Sequence, residues 1–172
     1  MRAVEDPAVR AGCLEAAGEL VLVSDADFST PLAEWEKLAA AGTPVAIGSR
    51  ALDEALVKEK QPAFRQAMGR LFNRLVRLVA VPGIRDTQCG FKLFTREAAR
   101  EIFSRAKVDR FAYDVEALLL ARRLGYAIAE VPVLWFNSAD SRVTFFGGAQ
   151  AYWDVLRIRF TTRAVSPRGG GQ

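Results

Sequence analysis

The feature that most constrains this chain is a four-residue apolar run, Leu20-Val21-Leu22-Val23, that begins just after Gly18 and ends two residues before an acid, Asp25. A run of that length and composition reads as a short buried strand rather than a helix. A second such run, Val45-Ala46-Ile47-Gly48, ends at Ser49-Arg50. Helical spacing lies around both. A helix is expected over 7–17, and another over 32–41 with Ser29-Thr30 as its cap, Pro31 at its start and Gly42 as its stop. Strands broken by helices predict an α/β sheet.

Further along, 90–94 reads as a strand, 96–104 as a helix capped by Thr95, 114–124 as a helix closed by Gly125, and 126–135 as an alternating strand. Residues 53–61 read as a mobile polar loop and 149–160 as a last helix. Over 64–81 the apolar positions recur at helical spacing with Arg65, Arg70, Arg74 and Arg77 among them, which makes a basic amphipathic helix. Its basic face suits an anionic membrane surface, and equally a core-packing helix with a solvated side. A chain of 172 residues is expected to make one unit, residues 1–163, with the Pro/Gly-rich 164–172 as a disordered tail.

There is no histidine, which removes histidine-based triads, HExxH metal sites and imidazole bases together. Chemistry here must run on carboxylates, cations and metals. The formal charge of +4 suits a phosphate-bearing small molecule or lipid, and nucleic acid is not expected as a partner. Two cysteines, Cys13 and Cys89, make neither a disulfide framework nor a zinc site, and Cys89 has no base beside it. No apolar run approaches the roughly 20 residues of a membrane span.

In Ser24-Asp25-Ala26-Asp27-Phe28-Ser29-Thr30 the two acids stand one residue apart at a strand end. Period-two alternation is expected to turn both to one side, where hard oxygens suit Mg²⁺ or Mn²⁺ bridging to phosphate. The same acids also suit a turn that caps the next helix. Asp86-Thr87-Gln88-Cys89-Gly90-Phe91-Lys92 combines an acid, an amide, a glycine and a lysine. Asp114 and Glu116 fall in the first turn of a helix, where the macrodipole favours negative charge even without a catalytic role.

Together, residues 18–31, Gly48-Ser49-Arg50, the Asp86-to-Lys92 segment and residues 111–135 resemble the family 2 glycosyltransferases, and within them the dolichyl-phosphate glucosyltransferases and other polyprenyl-phosphate glycosyltransferases. The resemblance runs in order from about residue 8 to about residue 160. It implies a GT-A fold, Rossmann-like and here partial, lacking its first βα units. It implies inverting transfer of a sugar, glucose in the first instance, from a nucleotide sugar such as UDP-glucose to a polyprenyl phosphate.

Carried across, Asp25, Asp27 and Ser29 become metal-side residues for Mg²⁺ or Mn²⁺, with Asp27 also catalytic. Arg50 and Arg65 match acceptor-phosphate arginines. Asp86, Gln88 and Lys92 line the cleft, Asp114 and Glu116 stand near the acceptor end as catalytic candidates, and Arg142 belongs to a flap over the acceptor. The family's opening strands, which grip the nucleoside, have no counterpart here. The resemblance therefore implies an N-terminal complement or an oligomer, or an inactive fragment, and peripheral residence at the cytoplasmic membrane face.

Two other readings stay open. Asp-x-Asp after an apolar strand is also the nucleophile and acid pair of haloacid dehalogenase-type phosphatases. That family places Thr or Val two residues after the second acid, where this chain has Ser29, and no Asp-Asp pair follows. A non-catalytic membrane-surface module built on the arginine helix is the third.

Overall fold

The computed structural model describes residues 6–58, 74, 76, 77, 81–107, 113–136, 157–160 and 162. The elements are α1 (Asp6–Glu15), β1 (Leu20–Val23), a 3₁₀ turn (Leu32–Glu34) running into α2 (Trp35–Ala40), β2 (Val45–Ser49), a second 3₁₀ turn (Glu54–Leu56), β3 (Lys92–Thr95), α3 (Arg96–Arg105), α4 (Tyr113–Arg123) and β4 (Ile128–Pro132).

The sheet order is β1-β3-β2-β4. β3 is antiparallel to both its neighbours, and β2 and β4 are parallel. β1, β2 and β4 thus run one way and β3 runs back between them. The carboxyl ends of β1 and β2 therefore meet the amino end of β3 along one edge, and this places the residues after Val23, those after Ser49 and those before Lys92 together.

Alternation along the strands divides the core in two. Val21, Val23, Val45, Ile47 and Phe94 face the layer of α1, α3 and α4, where Ala98, Ile102, Phe103, Leu118 and Leu120 are buried. Ala46, Leu93 and the adjoining Phe91 face the other way, towards Leu38 of α2, Cys89 and Val133. Each fully buried aliphatic side chain contributes about 1.5–3 kcal/mol. Phe94 and Phe103 meet edge to face, with centroids 5.5 Å apart, and join β3 to α3.

Several elements form where the pattern placed them. Thr95 Oγ1 accepts from Ala98 N at 3.3 Å and caps α3. Gly125, at φ +83°, follows α4 in the left-handed conformation that glycine adopts without penalty. The helix expected over 114–124 runs Tyr113–Arg123, with Asp114 in its first turn as expected and its side chain bonded to Lys92. Two expectations are corrected. The helix expected from residue 32 starts as a 3₁₀ turn, without the side-chain cap foreseen from Ser29-Thr30. The loop expected to be mobile is anchored over its described part: Val57 bridges Trp135, Lys58 N donates to Trp135 O and Trp135 N to Leu56 O, both at 3.0 Å.

Most of the arginine helix lies outside the described residues. Residues 74, 76 and 77 are helical, with Val76 buried and Arg74 and Arg77 exposed. The expected tail from 164 also lies outside them. No helix among the described residues is long and apolar enough to cross a membrane.

Candidate active site at the strand ends

β1 stops at Val23, and the chain then turns rather than continuing extended. Phe28 N donates to Asp25 O at 3.1 Å, Ser29 N donates to Asp27 Oδ1 at 3.0 Å, and Phe28 sits at φ +49° with its ring exposed. Asp25 and Asp27 are thus placed by a tight turn and not by strand alternation. Ser29 is buried, with its carbonyl accepting from Phe136 N at 2.8 Å.

The Asp25 carboxylate lies against the Cα of Gly90, in the space a side chain at position 90 would fill. Although Asp25 as a residue is open to solvent, its carboxyl is pushed above the usual carboxylate range. Desolvation is the chief cause, and repulsion from Asp114 and then Asp27 adds to it, while Lys92 and Arg50 oppose it. A cation beside Asp25 would relieve that repulsion.

Arg50, directly after β2, grips Asp86 with both arms of its fork. Nε donates to Oδ2 at 2.7 Å and Nη2 to Oδ1 at 2.9 Å, and the Arg50 backbone N adds a third bond to Oδ2 at 3.0 Å. Gln88 N donates to Oδ1 at 3.3 Å. Desolvation pushes the Asp86 carboxyl up, but Arg50's charge and hydrogen bonds win, and the net displacement is downward. The guanidinium also lies over the Trp135 ring, 5.4 Å from its centroid. Glu130 on β4 fixes the backbone beneath, accepting from Arg85 N at 2.9 Å and Asp86 N at 2.7 Å.

Lys92 opens β3 on the face that carries Phe94, and it is only 1% exposed. Its Nζ donates to Cys89 O and to Asp114 Oδ1, both at 2.5 Å. Burial pushes the Asp114 carboxyl up, and Lys92 only partly offsets it. Cys89 is buried, with desolvation pushing its thiol up to about 11, which suits a packing residue.

The strand ends therefore bring together Asp25, Asp27, Arg50, Asp86, Lys92 and Asp114. Glu116 goes elsewhere: fully buried in α4, its Oε2 accepts from Lys107 N at 3.0 Å. Gln88 presents a buried amide nitrogen with no hydrogen-bond partner among the described residues. Arg65 and Arg142 lie outside the described residues. Glu130 and Trp135 were not singled out from sequence. An acid inside an otherwise apolar alternation was the available signal for Glu130, and Trp135 offered none.

No group of three or more His, Cys, Asp or Glu side chains among the described residues is arranged to hold a metal on its own. Two strand-end carboxylates, Asp25 and Asp27, do fit a hard cation that takes its remaining oxygens from phosphate and water, as Mg²⁺ commonly does.

No protein-family profile matches the chain. Curated proteins do. The chain is 39% identical over 165 residues to the dolichyl-phosphate beta-glucosyltransferase ALG5C of Trichomonas vaginalis, covering 91% of this chain and 49% of that protein. Against the dolichyl-phosphate beta-glucosyltransferase of Drosophila melanogaster it is 43% identical over 161 residues, covering 88% of this chain and 49% of the other. The human protein of that name is 40% identical over 169 residues, 91% of this chain and 52% of its own.

This chain is a homologue of the dolichyl-phosphate beta-glucosyltransferases. It spans about half the length of the curated relatives it matches. Among solved structures, glucosyl-3-phosphoglycerate synthase of Mycobacterium tuberculosis, crystallised with uridine diphosphate, superposes with a TM-score of 0.61 at 16% identity, covering 98% of this chain and 58% of that one. That likeness carries the fold, which is the GT-A glycosyltransferase fold expected from sequence. Neither these relatives nor this neighbour is a phosphatase of the haloacid dehalogenase type.

Proposed function

We propose that this chain is the part of a polyprenyl-phosphate glycosyltransferase that holds the donor diphosphate and the acceptor phosphate, and that it transfers glucose from UDP-glucose to a dolichyl-type phosphate with inversion. The observation that carries the reading is the convergence of Asp25, Asp27 and Asp114 with Arg50 and Lys92 at one strand-end edge, in a chain homologous to enzymes of that name.

Asp25 and Asp27 would hold the Mg²⁺ or Mn²⁺, which when bound neutralises the donor diphosphate as charge builds on it. Arg50 keeps Nη1 clear of Asp86, and its fixed fork suits a phosphate oxygen of the acceptor. The acceptor has its second pKa near about 6, so at neutral pH it arrives largely as a dianion and needs no base. Its oxygen attacks the sugar C1 from the face opposite the departing diphosphate, the new C1–O bond forms, and the diphosphate leaves with the electron pair of the old one. No proton moves.

Asp114, paired with Lys92, then acts as a fixed charge beneath the site, and Gln88 offers its buried amide donor to an acceptor oxygen of substrate. Glu116 serves the backbone before α4. Arg65 and Arg142 are assigned to the lipid phosphate, and the acceptor places the chain at a membrane surface, on its cytoplasmic face.

The test is glucose transfer by the full chain from labelled UDP-glucose to dolichyl phosphate in vesicles, with Mn²⁺ or Mg²⁺ and with chelator. Metal-dependent formation of a dolichyl-phosphate sugar, abolished by Asp25→Ala, is expected. Transfer that persists in chelator, survives Asp25→Ala, or fails with either metal overturns the proposal.

A further inference from the structure

Glycine at position 90 is not explained by its own backbone. The described glycines at positive φ are Gly42, Gly83 and Gly125, and Gly90 is not among them, so alanine is conformationally admissible there. What excludes a side chain is Asp25. A Cβ on Gly90 would overlap Cγ, Oδ1 and Oδ2 of that carboxylate together. An overlap with a whole carboxylate cannot be relieved by turning the far end of a long side chain, so the carboxylate must leave.

The backbone around Gly90 is itself held. Lys92 reaches back to the Cys89 carbonyl and across to Asp114 on α4, which ties the 89–92 segment to the helix layer. Gly48 N donates to Phe91 O at 2.8 Å and ties it to β2 as well. The bare Cα of Gly90 is therefore a rigid floor and not a loop that can yield.

We infer that Gly90 is the positioning residue of Asp25: its missing side chain is the seat that holds the carboxylate at the strand-end edge, and Lys92 fixes that seat through Cys89 and Asp114. The inference rests on the reading of Asp25 as a metal ligand given above, and it adds a residue that touches neither metal nor substrate. Groups that orient a metal ligand typically change metal affinity by about 10- to 100-fold when altered.

The experiment is a double-mutant cycle on the full chain with Gly90→Ala, Asp25→Ala and both together, read in two ways. Titration with Mn²⁺ alone, followed by electron paramagnetic resonance, is expected to show Gly90→Ala weakened by about 10- to 100-fold. Thermal melting without metal is expected to show Gly90→Ala lowering Tm in the wild-type background and leaving it unchanged in the Asp25→Ala background, where the seat is empty. Wild-type Mn²⁺ affinity in Gly90→Ala, or equal loss of Tm in both backgrounds, overturns the inference. If the wild type takes up no Mn²⁺, the metal reading of the proposed function fails, and the melting cycle still decides the seat.

Discussion

Two buried carboxylates flank the strand-end site, each with a cationic partner, and they respond to burial in opposite directions. Asp86 is held below the usual carboxylate range and Asp114 is pushed above it. The difference lies in the donors. Asp86 collects both arms of Arg50, the Arg50 backbone N and the Gln88 backbone N. Asp114 has Lys92 and the Tyr113 hydroxyl, and Lys92 spends another of its protons on the Cys89 carbonyl. Proximity of an opposite charge does not by itself decide which way a buried acid is displaced. The number of donors that satisfy its lone pairs decides.

The largest effect expected from this contrast is on stability. Asp86→Ala leaves Arg50 and two backbone donors without their acceptor, and should cost about 3 kcal/mol by denaturant unfolding, at the low end for a broken buried pair because Arg50 keeps 31% of its side chain exposed. A loss under about 1 kcal/mol would break the comparison.

Replacing whole pairs sharpens it. Lys92→Met with Asp114→Leu removes both charges and leaves one backbone group, the Cys89 carbonyl, short of a donor, and should leave stability within about 1 kcal/mol of wild type or raise it. Arg50→Met with Asp86→Leu still orphans the Arg50 and Gln88 backbone donors, and should remain destabilised by about 1–3 kcal/mol. The smallest effect is the pH dependence. Asp86 has a lowered folded pKa, so its contribution is present above the ordinary carboxylate value and is lost as pH falls through the folded one. Acid melts should therefore show the deficit of Asp86→Asn shrinking below about pH 4. Asp114 has a raised folded pKa, so wild type should lose stability relative to Asp114→Asn as pH rises through that value.

These pairs also mark where sequence reasoning reached and where it stopped. The strands were legible because the short apolar runs at Leu20–Val23 and Val45–Ser49 suit buried strands, and α4 because a longer, largely buried run over Tyr113–Arg123 is closed by Gly125. The reversed direction of β3 was not, because a four-residue strand reads the same either way. Asp25, Arg50 and Lys92 were legible as charged residues at strand ends and within motifs, but their contacts span non-local pairings such as Lys92 to Asp114, and nothing local in sequence encodes those. Glu116 shows the converse. Two residues from Asp114 on a helix, it must point to another side, and it serves the Lys107 backbone.

On the proposed function, Asp25 and Asp27 together would seat a metal that carries a nucleoside diphosphate. Calorimetric titration of UDP into the full chain, with Mn²⁺, with chelator, and with the Asp25→Ala variant, tests that most directly. Binding that requires Mn²⁺ and disappears in Asp25→Ala is the predicted result. Binding of UDP that is equal with and without metal, or unchanged by Asp25→Ala, would contradict it.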